Sequence, residues 1–474
     1  MEILQKLLSA IGFGCLAATV LVAPWLFGAW EMWWFWLFAL GLFFSTLCWA
    51  LRLLLASARA GDEADLREGG SGTLAGRLAL LFYLPFLAYA CVRFVQAPVF
   101  MDAERSFLLF GTPVLIGLQV VLGFSRRQQR LLAQLVLLDL CLIGLYGIIN
   151  YLADGGRYVM WEPAYPQYVT EQRASGCYYC PNHYAGALEL AFGLAAALLV
   201  AGGTRARERI AAGLVAGVAA TGVVFSKSRG GGVTILLIGL AVLVWGLVEY
   251  PRRVRWMVRG AGMLLMAIGV AVFCYAASGY MQRFRIWLGP DALTDAPRTE
   301  LLARLVERLR VTDRGRMVAG AVRAWKTAPM IGIGPGMHQN LWPHVAASPD
   351  GSRDKGIWPS LLNNEFHSYE VHSDWVQLLE EYGIVGFVLF LGFAVATFAM
   401  FLKGLRRLKP GRGPPVTEGA GDAGAAMVLG GVFAWVAMGF HSLGDFNLQM
   451  PATVWLFAVI TALALAHTNV RDHE

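Results

Sequence analysis

Charged residues are scarce in this 474-residue sequence. Asp, Glu, Lys and Arg make up 15% of it, hydrophobic residues make up 57%, and the mean hydropathy is +0.55. Soluble domains usually carry about 25% charged residues, so the composition excludes an ordinary soluble fold. Apolar runs of about 18 residues or more recur along the chain, and each is long enough to cross a hydrocarbon core about 30 Å thick. The sequence therefore predicts an all-α polytopic membrane protein.

Several functional signatures are missing as well. The net charge is +7, but the basic residues form short clusters between apolar runs and no continuous stripe, which argues against a nucleic-acid partner. The glycine-rich segment 329–338 lacks the Gly-Lys-Ser/Thr of a P-loop, so we interpret it as a structural turn. We find no nucleotide-sugar-binding fold and no cluster of acids suited to a metal ion, and we expect no cofactor and no metal requirement.

Cysteine is also sparse, with seven residues in all. Cys177 and Cys180 have a C-x-x-C spacing, but no second cysteine pair completes a zinc site and no thioredoxin-like pattern surrounds them. In an oxidising compartment a local disulfide between them is possible. A disulfide and two free thiols both stay open.

We place twelve membrane spans along the chain. They cover residues 7–28, 31–55, 77–96, 106–123, 131–152, 183–203, 210–225, 232–249, 260–278, 384–402, 424–442 and 450–468. Arg and Lys cluster in alternate loops, so the positive-inside rule places these loops and both termini in the cytoplasm. The chain then divides into nine spans in residues 1–278, one large external loop in 279–383, and three spans with a cytoplasmic C-terminus in 384–474.

Basic residues on the predicted external side are candidates for binding an anion. Lys227 and Arg229 lie in a very short external turn, where the topology rule disfavours cations; the alternative is a snorkelling side chain beside a flexible turn. Within the large loop, segment 300–310 is predicted to form an amphipathic surface helix. Further along, Arg316 and Arg323 share a helical face, and the planar guanidinium group suits phosphate oxygens.

His372 is the candidate base. It lies in segment 363–386, where the large external loop enters an apolar run, and the ordinary pKa of His suits proton transfer near neutral pH. Glu365 and Asp374 could each orient its ring, and the sequence does not choose between them. His338, His183 and Asp445 are further candidates to support the site.

Two acids, Asp139 and Glu189, fall inside predicted spans. A carboxylate inside a membrane costs free energy and is often functional. A function in which these two acids couple transport to protons or cations therefore stays open. A transporter built on them would also be expected to show repeated halves or paired intramembrane charges. We find no such internal symmetry.

The central stretch carries a recognisable pattern. His372-Ser373, nine residues, and then Gly383-Ile384-Val385-Gly386 resembles the H-[N/S/Q]-x9-G-x-x-[G/T/Y] signature of the O-antigen ligase and polymerase superfamily. Other elements that resemble those of the family occur, in the same order along the chain, between residues 175 and 451. They are Asn182 to Gly186, Ser228 to Gly231, Gly315-Arg316 followed by Trp325, Pro329 and Gly332 to Gly334, and Asp445 to Asn447.

The resemblance implies a GT-C-like membrane glycosyltransferase of lipopolysaccharide or exopolysaccharide biosynthesis. It implies an undecaprenyl-diphosphate-linked glycan as donor and an active site facing the periplasm from the bacterial inner membrane. Arg229 and Arg316, with Lys227 and Arg323 near them, would hold the diphosphate, and His372 would act as general base for transfer with inversion.

The resemblance leaves three alternatives for the acceptor: a growing glycan for a polymerase, the lipid A core for a ligase, and a protein hydroxyl. The Asp-Phe-Asn element and the long external loop favour the polymerase, with the ligase as the alternative. Outside the superfamily, a transporter or flippase of the lipid-linked glycan is the further alternative. It would depend on Asp139 or Glu189 more than on His372.

Overall fold

The computed structural model describes residues 2–57, 74–201, 206–249, 313–345, 367–407 and 421–468. Three sequence predictions lie outside these ranges: the span at 260–278, the amphipathic helix at 300–310 and the role of Glu365. The elements within these ranges are almost entirely helical.

The α-helices are numbered in chain order. They are α1 (Glu2–Val22), α2 (Met32–Ser57), α3 (Leu74–Val95), α4 (Phe100–Leu118), α5 (Arg126–Asp154), α6 (Pro166–Thr170), α7 (Pro181–Val200), α8 (Ala206–Ser226), α9 (Arg229–Glu249), α10 (Asp313–Trp325), α11 (His338–Val345), α12 (Asp374–Arg407), α13 (Gly421–His441) and α14 (Pro451–Ala466). Single turns of 3₁₀-helix occur at Ala23–Trp25, Phe27–Ala29 and Asn447–Gln449, and a π-helical turn, Gln119–Gly123, extends α4. Two-residue strands β1 (Tyr158–Val159) and β2 (Glu162–Pro163) pair antiparallel, with Val159 opposite Glu162.

Nine helices in the described ranges are long and apolar enough to cross a membrane, and two shorter apolar helices, Arg229–Trp245 and Pro451–Ala466, accompany them. These eleven segments coincide with eleven of the twelve predicted spans. The all-α polytopic membrane fold is confirmed, while the total of twelve spans stays a prediction.

Helix α7 forms the centre of the bundle. Helices α5, α8, α9 and α13 pack around it, and it is the most deeply buried of the apolar helices that are long enough to span a membrane. Its sequence is rich in Ala and Gly, and small residues let helix backbones approach closely in a membrane. A Cβ atom on Gly193, for example, would lie 3.1 Å from the Phe433 side chain of α13. Helices at the periphery instead expose large side chains such as Leu37, Leu40 and Leu47.

Hydrogen bonds identify the two ends of the bundle. At one end, Arg52 donates to the Gly123 carbonyl at 2.9 Å and Arg126 donates to the Ala466 carbonyl at 2.7 Å. Both arginines belong to clusters that the sequence predicts to be cytoplasmic. The N-termini of α7, α9, α12 and α14 and the C-terminus of α13 lie at the opposite end, which we call the His372 end.

Helix α12 differs from the prediction, because it begins at Asp374, ten residues before the predicted span at 384. A non-helical conformation at Gly383, with φ 65° and ψ −173°, interrupts it. The glycine-rich segment 329–338 packs against this interruption: Ile333 and Gly334 donate their amides to the carbonyls of Glu380 and Glu381 at 2.9 and 3.0 Å. These contacts support the interpretation of that segment as a structural turn.

We predict that Gly383→Ala destabilises the protein by about 1–3 kcal/mol or more, because a Cβ atom there would strain a left-handed residue and collide with the Met330 carbonyl. Gly392→Ala, on the same helix with nothing within 4 Å of the added Cβ, serves as the control. Thermal unfolding of the purified protein in detergent measures both. Equal unfolding temperatures for the two variants would contradict this account of the interruption.

Candidate active site

Asp445 is the centre of a buried polar cluster at the His372 end. It lies in the loop between α13 and α14, and its side chain is completely buried. Arg314 of α10 and Asn182 of α7 donate to Oδ2 at 2.9 and 2.7 Å, and the Phe446 amide donates to Oδ1 at 3.0 Å. Arg314 also donates to the Gly444 carbonyl. The carboxylate is therefore fixed by groups from three separate segments.

Three imidazoles surround this carboxylate. His183 Nε2 and His372 Nδ1 lie 3.6 and 3.8 Å from Oδ1, and His441 Nε2 lies 3.9 Å from Oδ2. These are ion-pair distances, longer than a direct hydrogen bond. The ring of Phe446 contacts His183 and His372 edge to face, with centroids 4.4 and 4.6 Å apart. We call the following residues the Asp445 cluster: Asn182, His183, Arg314, His372, His441 and Asp445.

The cluster keeps Asp445 ionised. Burial alone would raise the pKa of this carboxyl, but the positive charge of Arg314 and the neighbouring His183 and His372 outweigh burial and hold the pKa well below its ordinary value. A permanent carboxylate at Oδ1 can accept an imidazole N–H and stabilise an imidazolium. It therefore supplies the orienting group that a histidine base needs.

His372 has the geometry of a functional residue. Its φ is 58°, in the left-handed region that a non-glycine residue seldom adopts, and its side chain is 27% exposed, whereas Asn182, His183, His441 and Asp445 of the cluster are buried. The neighbouring backbone is fixed, because the Val371 amide donates to Gln377 at 3.1 Å and the Ser373 hydroxyl donates to the Ser442 carbonyl at 3.3 Å. With Nδ1 facing Asp445, Nε2 is on the opposite side of the ring, where it can take a proton from a substrate.

Asp374 follows His372 by two residues but its carboxylate is engaged elsewhere. Its Oδ2 accepts hydrogen bonds from the Ser442 hydroxyl at 2.6 Å and the Leu448 amide at 3.0 Å. Asp374 thus fastens the start of α12 to the loop that carries Asp445. The carboxylate that the structure places at ion-pair distance from the His372 ring is Asp445.

His338 lies in a separate buried pair. Its Nδ1 is 2.9 Å from Glu380 Oε2 and its Nε2 is 3.1 Å from the Ser368 hydroxyl. The order Ser–His–carboxylate is that of a hydrolase triad, but Ser368 is only 2% exposed and donates to the Glu370 carbonyl at 2.9 Å. The pair instead holds segment 367–371, which leads into His372, against α12.

Two of the predicted anion-binding cations are bound to backbone carbonyls. Lys227 Nζ donates to the Glu171 carbonyl at 2.8 Å, and Arg323 Nε donates to the Val345 carbonyl at 2.9 Å. Arg323 therefore caps the C-terminus of α11.

The other two predicted cations lie nearer to the Asp445 cluster. Arg229 is exposed at the start of α9, and a Cβ atom on the adjacent Gly230 would lie 2.7 Å from the His441 ring. Arg316 is two residues from Arg314 on α10. The structure thus brings the backbones of Arg229 and Arg316 to the cluster that contains His372.

Two arginines important to the cluster were missed by the sequence reasoning. Besides Arg314, the buried Arg173 donates to Asn182 Oδ1 at 2.6 Å and to the Ser226 carbonyl at 2.8 Å, so it orients the amide that binds Asp445. Arg314 is one of many arginines in a charged stretch, and Arg173 precedes the C-x-x-C segment without any motif. Neither carries a sequence signal that sets it apart.

Cys177 and Cys180 are free thiols in the structure. Cys177 is buried, and the Tyr168 hydroxyl lies 3.6 Å from Cys180 Sγ as its donor. Burial raises the pKa of the Cys180 thiol. Among the described residues, no group of three or more His, Cys, Asp or Glu side chains is arranged to hold a metal ion.

We predict that the Asp445 charge stabilises the fold at neutral pH. Because its folded-state pKa is lowered, this stabilisation is fully present above the unfolded value of about 3.9 and is lost as the pH falls from there through the folded-state pKa. The unfolding temperature of the wild-type protein should exceed that of Asp445→Asn most at pH 7, and the difference should shrink below about pH 4. A difference that does not change between pH 7 and pH 3 would contradict this prediction.

Comparison with known families places this geometry in context. The family model described as O-antigen ligase matches residues 212–391, and no curated protein matches the chain. The matched segment contains Arg229, Arg314, Arg316 and His372, while Asp445 and His183 lie outside it. The match confirms the resemblance of this polytopic membrane protein to the O-antigen ligase and polymerase superfamily.

Proposed function

We propose that this protein is an inverting membrane glycosyltransferase that transfers a glycan from an undecaprenyl-diphosphate carrier to an acceptor hydroxyl. The observation that carries the proposal is the His372 ring, partly exposed and facing the buried, ionised Asp445. The match to the O-antigen ligase family supports the reaction class. The orientation with this end in the periplasm, the bacterial inner membrane and cytoplasmic termini are part of the proposal and rest on the loop charges and the resemblance.

The proposed reaction is a single displacement. The acceptor hydroxyl oxygen forms a bond to the anomeric carbon of the donor while the bond from that carbon to the diphosphate oxygen breaks. His372 Nε2 takes the hydroxyl proton, and Asp445 stabilises the imidazolium that results. The diphosphate leaves with the bonding electron pair, and cationic side chains stabilise the charge that develops on it. Attack opposite the leaving group inverts the anomeric centre.

The arginines divide between structural and substrate-binding roles. Arg314 is committed to Asp445 and Gly444, so we assign it to the structure of the base. Arg229 and Arg316 are the proposed diphosphate ligands, because their backbones lie near the cluster, the family match contains both, and a guanidinium group can bind phosphate oxygens in pairs. Lys227 and Arg323 would have to break their hydrogen bonds to backbone carbonyls to reach the glycan donor. We therefore assign them a secondary role in binding its diphosphate.

For the acceptor we propose a growing glycan, and hence a polymerase, with lipid A core as the alternative. The proposal rests on the Asp445 to Asn447 element and the long loop between α9 and α12. A transporter of the lipid-linked glycan is less well supported. The two intramembrane acids on which it would rely have local partners, since Asp139 accepts from the Trp25 indole at 2.8 Å and Glu189 is 2.7 Å from His441.

We predict that His372→Ala lowers the transfer rate by about 10²- to 10⁴-fold, the usual contribution of a general base. Purified protein in nanodiscs is given an undecaprenyl-diphosphate oligosaccharide, with a second copy of the donor or lipid A core as acceptor. His344→Ala, which removes an exposed histidine at the end of α11, is the control and should retain activity. If the His372→Ala variant unfolds at the same temperature as the wild type and its transfer rate is undiminished, His372 is not part of the mechanism.

Product size separates the acceptors in the same assay. A polymerase yields a ladder of lipid-linked products that differ by one repeat, whereas a ligase yields a glycan joined to lipid A core. No product with either acceptor, from a folded wild-type protein that binds donor, would favour the transporter.

We also predict that transfer needs no divalent metal. Incubation with EDTA followed by removal of the chelate should leave the rate unchanged. Loss of activity that is restored by adding a divalent metal would contradict the proposal that Arg and Lys side chains supply the positive charge at the diphosphate.

A further inference from the structure

Glu189 is a carboxylate in α7, the helix at the centre of the bundle. Its side chain is fully buried in α7, about two helical turns from the His372 end. One oxygen, Oε1, lies 2.7 Å from His441 Nδ1, while Oε2 is buried and makes no hydrogen bond of regular geometry among the described residues, although the Thr234 hydroxyl of α9 is close to this carboxylate. A buried acid with an unpaired oxygen costs stability in a membrane interior. Packing alone would be served better by an apolar side chain.

His441 connects this acid to the candidate site. Its Nδ1 faces Glu189 and its Nε2 lies 3.9 Å from Asp445 Oδ2, so a carboxylate oxygen stands at each end of the ring. A neutral imidazole has one N–H and one lone pair, and its lone pair would face a carboxylate. When both acids are ionised, only the imidazolium form presents a donor or positive edge to each of them.

Helix α9 closes over this pair. A Cβ atom on Gly230 would lie 2.7 Å from the His441 ring, and one on Gly231 would lie 3.1 Å from Glu189 Oε1. The absence of side chains at these two positions lets the N-terminus of α9 cover the pair. The contact also ties the position of His441 to the helix that carries Arg229.

Several of the elements near His441 contribute charged or titratable groups. Glu189 and Asp445 are negative, Arg314 is positive, and His183 and His372 are the further titratable groups near Asp445. Contacts run from Glu189 through His441 to Asp445 and on to His372 Nδ1. A change of charge at Glu189 therefore reaches His372 through two intervening groups.

We propose that Glu189 is a positioning residue for the transfer reaction: it holds His441 as an imidazolium that fixes and partly neutralises Asp445, and so sets the orientation and proton affinity of His372. The proposal deepens the proposed function and rests on it. Glu189 touches no substrate in this account. Its effect is exerted through His441 and Asp445.

The consequence of Glu189→Gln follows from the charges. Without the acid, His441 loses its proton, and one of the two positive charges beside Asp445 Oδ2, those of His441 and Arg314, disappears. The field at His372 becomes more negative, so His372 binds its proton more tightly and the acid limb of the activity profile moves to higher pH. We expect kcat to fall by about 10²-fold, the scale of a misplaced catalytic group, with little change in KM for the donor.

The first test needs no activity. Nitrogen-15 spectra of histidine-labelled protein in lipid bilayers report the protonation of His441, whose signals are assigned by their loss in His441→Gln. The proposal expects an imidazolium at pH 7 in the wild type and a neutral ring in Glu189→Gln. Asp139→Asn is the matched control, because Asp139 is also an intramembrane acid with one bonded and one unpaired oxygen but contacts Trp25 instead of the cluster. A neutral His441 in the wild type would overturn the proposal.

The second test compares pH profiles of glycan transfer with the donor described above. Glu189→Gln should lose kcat and shift its acid limb upward, Asp139→Asn should do neither, and Glu189→Gln combined with His441→Gln should lose no more than His441→Gln alone, because the pair acts as a unit. An unshifted acid limb in Glu189→Gln, or additive losses in the double variant, would overturn the positioning role. Absence of transfer by the wild type counts against the proposed function, while the nitrogen-15 result still decides the state of His441.

Discussion

The negative charge of Asp445 is the constraint around which the His372 end is organised. The fold buries this carboxylate completely, and a buried charge is tolerated only when it is paired and hydrogen-bonded. Its partners come from α7, α10, α13 and the segment before α12, as the Asp445 cluster defines. Segments that are far apart in sequence must therefore assemble before the charge is compensated. The same assembly places a partly exposed histidine beside a permanent anion.

Close packing of small residues makes this polar assembly possible within an apolar bundle. Gly230 and Gly231 let α9 approach His441 and Glu189, and Gly332 and Gly383 let the turn after α10 meet the interruption in α12. In each case a Cβ atom would occupy space that a polar or backbone group fills. Gly383 of the family signature and Gly230 and Gly231 at the start of α9 thus have a structural explanation at the places where they occur.

The fold could be predicted from sequence in its main features. Long apolar runs are a strong signal, and eleven of the twelve predicted spans coincide with apolar helices in the part of the chain that the structure describes. The start of α12 was missed because residues 374–381 include the polar Asp374, Gln377, Glu380 and Glu381. The acids in this stretch are buried against the loops, whereas a hydropathy pattern predicts that acidic residues are exposed. Boundaries set by tertiary hydrogen bonds leave little trace in a local pattern.

The candidate site was predictable only where chemistry or a motif singled out a residue. His372 stands in a signature and in a short polar stretch, so it could be found. Its proximity to Asp445, 73 positions further along the chain, depends on how α12 and α13 pack. Arg314 and Arg173 are set apart by their hydrogen-bond partners, which a single sequence does not record. Sequence reasoning identified candidate reactive groups, and the structure supplies the groups that orient them.

The two intramembrane acids also bear on the choice between an enzyme and a transporter. A carrier that couples to protons or cations needs acids that exchange partners between two states. Asp139 and Glu189 instead each join two helices through one short contact, from α5 to the turn after α1 and from α7 to α13. Of the two, only Glu189 is linked by a chain of charges to the candidate base. In the proposed role, Glu189 orients the base through His441 and Asp445, which favours a preorganised site, and preorganisation of charge is the usual source of enzymatic rate enhancement.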